Sequence, residues 1–150
     1  MKKHKKLLPP TYFIIFLLSS IILHFVFPIK KIIFPPYIYL GWIFIIFGAV
    51  LNIWVDLLFK KSKTTIKPFE KPAKLIVKGP FRISRHPVYL GMTSVLLGVA
   101  IVHGTLISFI FPIVFIFLLK ILFIPYEEKN LEETFGEDYV DYKGRVRSWL

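Results

Sequence analysis

Two clusters of residues have the types and spacing to do chemistry. The first is Gly79-Pro80-Phe81-Arg82-Ile83-Ser84-Arg85-His86-Pro87-Val88-Tyr89-Leu90-Gly91. Pro87 suits the first position of a helix, where its missing N–H is not needed. The free N–H groups of that helix start, with Arg85 and His86 beside them, favour an anion such as a carboxylate or phosphate. The same residues also fit a plain interfacial anchor for a helix end. The second cluster is the acidic pair Glu127-Glu128, directly after a long apolar run. A helical hairpin would return both clusters to one side, where a ligand carrying a negative and a positive group can bridge them.

The remaining polar residues offer less. Asn52 and Asp56 are four apart and share a helix face. They suit an acceptor path, but pairing of Asp56 with Lys60 at the membrane interface is the preferred reading. His24 and His103 fall near the outer ends of apolar runs, and their spacing supports no metal site. No G-x-G occurs, so a soluble dinucleotide-type fold has no support.

The elements that must position these clusters follow from composition. The chain has 150 residues, 55% hydrophobic and 17% aromatic, with 16 Phe, no Cys and a formal net charge of +11. Mean hydropathy is +0.65. A disordered chain lacks such aromatic and aliphatic content, and a disulfide scaffold needs cysteines. The apolar residues instead form runs close to the roughly 20 residues that a membrane helix requires. Four spans are expected, at about 11–27, 37–59, 87–103 and 106–124, followed by a tail over 125–150. Pro112 is expected to kink the fourth span, and Pro125 to close it. The short third span and the fourth form a tight hairpin. The fold class is thus an all-α polytopic membrane bundle, in one domain.

Charge sets the orientation. Of twenty basic residues, only Lys30 and Lys31 lie in the first connection. Positive loops stay cytoplasmic, so both termini and both chemical clusters are expected there. This placement also explains the net charge without nucleic acid. The segment Phe27-Pro28-Ile29-Lys30 lacks the small residues of a signal cleavage site, so a retained first helix is expected. In the tail, Leu131, Phe135, Tyr139, Tyr142 and Val146 recur at helical spacing on one face. Gly136 either weakens that helix or divides it.

The first cluster resembles the G-P-Y/F-R-x-x-R-H-P-x-Y-x-G signature of the isoprenylcysteine carboxyl methyltransferase and phospholipid methyltransferase group. Glu127-Glu128, Leu131, Phe135-Gly136, Tyr139, Tyr142, Val146 and Arg147 resemble its second block, E-E-x-x-L-x-x-x-F-G-x-x-Y-x-x-Y-x-x-x-V-x-R. Thr65 and Pro68 resemble the upstream T…P. The resemblance implies an integral membrane methyltransferase that uses S-adenosylmethionine. It implies that Arg85, His86, Pro87, Tyr89 and Gly91 form one side of the cofactor pocket. Glu127 and Glu128 would close the other side and supply catalysis. The acceptor would be lipid-like, with an isoprenylcysteine-type carboxylate favoured and no metal involved. Some relatives carry an arginine near the paired glutamates; the positions before them here, Lys120 to Tyr126, hold no arginine, and Lys120 is the candidate substitute. Two alternatives stand beside this reading: a membrane reductase of the sterol-reductase type using a nicotinamide cofactor, and a non-enzymatic membrane subunit.

Overall fold

The computed structural model describes residues 7–65 and 70–149. Among these residues the secondary structure is helical, with one isolated bridge between Lys31 and Thr105. Helix α1 spans Pro9–Val26, with Pro9 and Pro10 in its first turn, where proline is tolerated. A 3₁₀ turn over Tyr37–Tyr39 leads into α2, Leu40–Ser62. Helix α3 spans Pro87–His103, starting at Pro87 as expected. The chain turns at Gly104 and passes through a 3₁₀ turn, Leu106–Phe109, into α4, Ile110–Leu118.

Beyond α4 the structure departs from expectation. The fourth span does not close at Pro125. It widens into a π turn over Leu119–Phe123 and continues as α5, Ile124–Phe135. Pro125 lacks the N–H that would bond back to Ile121, and its ring would crowd that carbonyl. A wider turn just ahead makes room for both, so the helix survives the proline. Pro112 lies in the first turn of α4, where the preceding 3₁₀ turn absorbs the mismatch. Gly136, at φ +52°, divides the tail, and α6 follows over Glu137–Arg145.

Helix α3 is the centre of the bundle. It packs along α2 through reciprocal glycines. A Cβ on Gly48 would strike the Gly91 carbonyl, and one on Gly41 would strike the Gly98 carbonyl. With no side chains between them the backbones approach closely, as membrane helices require for dispersion contact. Ser94 Oγ donates to the Phe44 carbonyl across the same interface at 3.0 Å. On its other face, Tyr89, Met92 and Leu96 join Phe115, Leu119, Phe123 and Ile124 in a buried cluster, with Tyr12, Phe13, Phe16 and Leu17 of α1 against it. The tail buries its apolar face as well. Tyr139 and Tyr142 pack with Leu51, Val55, Ile76 and Phe81, so α6 lies against α2 and the loop before α3.

Three helices are long and apolar enough to cross a membrane: Pro9–Val26, Tyr37–Ser62 and Leu106–Phe135. The shorter apolar α3 runs between them. The outward faces of α1 and α2 expose Ile14, Leu18, Ile22, Ile43, Phe47 and Ile53, as lipid-facing surfaces do. The chain is a multi-pass membrane protein.

Candidate active site

The loop before α3 and the start of α5 meet at one end of the bundle. Arg85 Nη2 contacts Glu128 Oε1 at 2.9 Å. His86 Nε2 lies 3.2 Å from the same oxygen. Glu127 Oε2 stands 3.4 Å from His86 Nδ1. The two clusters read from sequence are therefore neighbours, as the hairpin requires. They do not flank an open hydrophilic chamber, however. Opposite charges withdrawn from water attract strongly, so they close on each other and the space beside them is largely apolar.

Several local features hold this arrangement. His86 is 3% exposed, and its ring stacks on Tyr89 with centroids 5.5 Å apart. Ser84 Oγ receives the His86 backbone N–H at 3.2 Å and donates to the Ser148 carbonyl at 3.1 Å. The Arg85 N–H donates to the Arg147 carbonyl at 3.0 Å. The end of the chain is thus strapped to the loop that carries Arg85 and His86. Tyr142 fixes the loop again by donating to the Phe81 carbonyl at 2.7 Å. Lys143 of α6 reaches Glu128 Oε2 at 3.3 Å and Glu132 at 3.6 Å. Burial alone would lower the His86 pKa, but the adjacent Glu127 and Glu128 outweigh it and raise it. His86 therefore holds its proton to higher pH than an ordinary imidazole.

Beside this network lies a cavity of about 410 Å³. Arg85, His86, Pro87, Tyr89 and Glu127 line one side, and Asn52, Asp56 and Phe59 of α2 line another. Leu8, Pro9 and Pro10 at the start of α1 complete it, with Val88 and Met92. Among the described residues α1 and α2 share no substantial packing; both rest on α3. Three polar atoms along this wall are buried without a hydrogen-bond partner, Arg85 Nε and Nη1 and Asn52 Oδ1, and Glu127 Oε2 has only its long 3.4 Å approach to His86 Nδ1. An unpaired buried donor or acceptor costs about 1–3 kcal/mol, so such a concentration marks groups kept for something else.

Not every expected residue faces the cavity. Glu128 sits behind Arg85 and His86 and holds them. Gly91 faces α2, where the Asn52 side chain and the Gly48 carbonyl fill the space next to it. Lys120 lies exposed in the π turn and lines none of the cavity. Thr65 donates to Glu70 at 2.8 Å, and Pro68 lies outside the described residues. Asp56 does pair with Lys60, at 2.6 Å, and it also faces the cavity. Tyr139, fully buried with its hydroxyl unpartnered, and Lys143 both bear on the site although sequence reading gave them no role there. The helical periodicity of Tyr139 marked a packed face but not what that face meets, and Lys143 lay outside that pattern.

Comparison with known proteins identifies the family. The family model described as phospholipid methyltransferase matches residues 36–138, which includes α2 through α5 and both glutamates. Protein-S-isoprenylcysteine O-methyltransferase B of Arabidopsis thaliana is 32% identical over 129 residues, covering 80% of this chain and 66% of the relative. A probable protein-S-isoprenylcysteine O-methyltransferase of Oryza sativa subsp. indica is 31% identical over 117 residues, covering 75% of this chain and 60% of the relative. The chain thus spans 60% to 66% of these two plant relatives' length. An uncharacterized protein of Haemophilus influenzae is 35% identical over 63 residues, which is 42% of this chain and all of that protein. No solved structure matches significantly. With the matched segment running from the start of α2 through both halves of the ion-paired network, the chain belongs to the phospholipid methyltransferase family.

Proposed function

We propose that this protein transfers a methyl group from S-adenosylmethionine to a lipid-like acceptor at the cytoplasmic leaflet. The observation that carries this reading is the set of unpartnered buried atoms on the cavity wall. S-adenosylmethionine bears a carboxylate and an ammonium. Arg85 Nε and Nη1 are unpartnered donors for the first, and Glu127, whose Oε2 has only a 3.4 Å approach from His86 Nδ1, offers an acceptor for the second or for a ribose hydroxyl. The residues present therefore suit the group that the family implies. The cytoplasmic assignment rests on charge: Lys60, Lys61, Lys63, Arg82, Lys143, Arg145 and Arg147 cluster at the site's end of the bundle, against Lys30 and Lys31 at the other.

When bound, the cofactor supplies an electrophilic methyl on a sulfonium, whose departure needs no protonation. The chain's own task is alignment and exclusion of water. Glu128, tied to Arg85, His86 and Lys143, fixes the two cations in place and acts as a positioning residue. His86 and Tyr89, stacked together, form a rigid wall. Glu127, which reaches the cavity, is the base where an acceptor must lose a proton. The gap between α1 and α2 leaves the cavity within reach of a lipid chain arriving on α3. The name of the plant relatives points to an isoprenylcysteine oxygen as one acceptor class.

Titration calorimetry of the protein in lipid nanodiscs tests the reading. Saturable binding of S-adenosylmethionine is expected, without competition from a nicotinamide dinucleotide. An absence of heat would reject the methyltransferase reading, and displacement by the nicotinamide cofactor would favour a reductase.

A further inference from the structure

Arg85 and Glu127 belong to two cavities. They line the large one beside the start of α3, and they also line a smaller chamber of about 50 Å³ on the side of the tail. Tyr139 of α6, Asn130 of α5 and the rings of Phe59 and Phe81 help to close that chamber. Arg85 and Glu127 are thus part of the partition between the two spaces. Tyr139 is 0% exposed, and its hydroxyl has no hydrogen-bond partner. Tyr142, the next tyrosine of α6, shows the ordinary solution. Its ring centroid is 6.1 Å away, and its hydroxyl donates to the Phe81 carbonyl at 2.7 Å. Packing alone does not account for Tyr139, because phenylalanine would fill nearly the same shape without burying an unpaired hydroxyl.

The chamber suits ordered water. A buried water needs about 10–15 Å³ and about two to four polar partners, so the chamber holds a few. Tyr139, Arg85 and Glu127 supply those partners. Burial and the charge of Glu128 push the Tyr139 pKa up, so its hydroxyl keeps its proton and can donate as well as accept. A water bridge is nearly as favourable as a direct bond. Glu128 fixes Arg85 through Nη2 alone, at 2.9 Å, and leaves Nε and Nη1 as the free edge of the guanidinium. Those two atoms carry more than one N–H between them, so the edge can meet water on the tail side and an anion on the other. We infer that Tyr139 is a positioning residue for methyl transfer: through water in the small chamber its hydroxyl sets the free edge of Arg85 toward the cofactor's carboxylate. This rests on the methyl-transfer reading above and adds to it a residue that lines the small chamber and not the large one.

The test is a double-mutant cycle on the full chain in nanodiscs, with S-adenosylmethionine titrated by calorimetry into wild type, Tyr139→Phe, Arg85→Lys and the double variant. Tyr139→Phe keeps the ring and removes only the hydroxyl. Its affinity is expected to fall about fivefold, the worth of one hydrogen bond. Arg85→Lys keeps the charge and removes the planar edge. In that background Tyr139→Phe should cost less than twofold, because the group it acts through is gone. Melting temperatures taken without cofactor, with Tyr142→Phe as the reference for losing a bond that is made, report on packing. Affinity unmoved by Tyr139→Phe overturns the inference. So does an equal loss in both backgrounds, or a loss that comes with a fall in melting temperature as large as that of Tyr142→Phe. Absence of cofactor binding by wild type would instead reject the underlying reading.

Discussion

The two ends of the bundle each hold a knot of histidine and hydroxyl or carboxylate groups, and they differ in what is left over. At the outer end His24 and His103 stack with centroids 4.2 Å apart. His24 Nδ1 meets Thr105 Oγ1 at 3.2 Å, His103 Nδ1 meets Ser108 Oγ at 3.1 Å, and the two hydroxyls meet at 3.0 Å. Those groups satisfy one another and clasp α1 to the turn between α3 and α4. At the end that holds the site, Arg85 and Asn52 keep buried atoms unpartnered around a cavity of about 410 Å³. The presence of histidine does not separate the two knots. The surplus of unsatisfied polar atoms does, because a purely structural network gains by closing and a binding site must stay open.

The sharpest way to break this comparison is to remove the inner surplus without changing shape. Glu127→Gln should lower methyl transfer about 100-fold or more, with a melting temperature near wild type, as loss of a general base does. Measured rates on the labelled product decide it. Gly48→Leu tests the support beneath both ends. Its side chain would collide with the Gly91 carbonyl, and destabilisation of about 1–3 kcal/mol is expected by chemical denaturation in detergent.

Proton dependence separates the ends in a different way. Glu127 and Glu128 hold the His86 pKa above its ordinary 6.5 against the opposing effect of burial. The stabilisation from charged His86 is therefore complete below about pH 6.5 and is lost as pH rises through the raised value. Unfolding temperature should fall on the alkaline side in wild type, and Glu128→Gln should flatten that fall. The smallest effect is expected at the outer clasp. His24→Ala removes one hydrogen bond and one ring contact, so about 0.5–1.5 kcal/mol of stability should go, with methyl transfer within roughly twofold of wild type.

The sequence made some of this legible and hid the rest for physical reasons. Apolar runs bounded by prolines set the first three spans to within three residues, because bilayer thickness fixes helix length. The pairing of Arg85 and His86 with Glu127 and Glu128 followed from the hairpin and from two spaced motifs. Pro125 misled, because whether proline ends a helix depends on whether the turn before it can widen. Gly91 lies against Asn52 and the Gly48 carbonyl of α2, a contact the sequence did not show, since one sequence does not say which helix a glycine will face. The strap from Ser84 to Ser148 runs between backbone and hydroxyl groups far apart in the chain, and such contacts leave no periodic trace. Asp56 was read as an interfacial partner of Lys60, which it is, but its second face became visible only with the cavity.

Calorimetric titration of S-adenosylmethionine into nanodisc-embedded wild type, Arg85→Ala, Glu127→Gln and His24→Ala tests the central claim most directly. The inner surplus predicts saturable one-to-one binding to wild type and His24→Ala, and affinity reduced about tenfold or more in the other two. Equal affinity in all four proteins, or no binding in any, would contradict it.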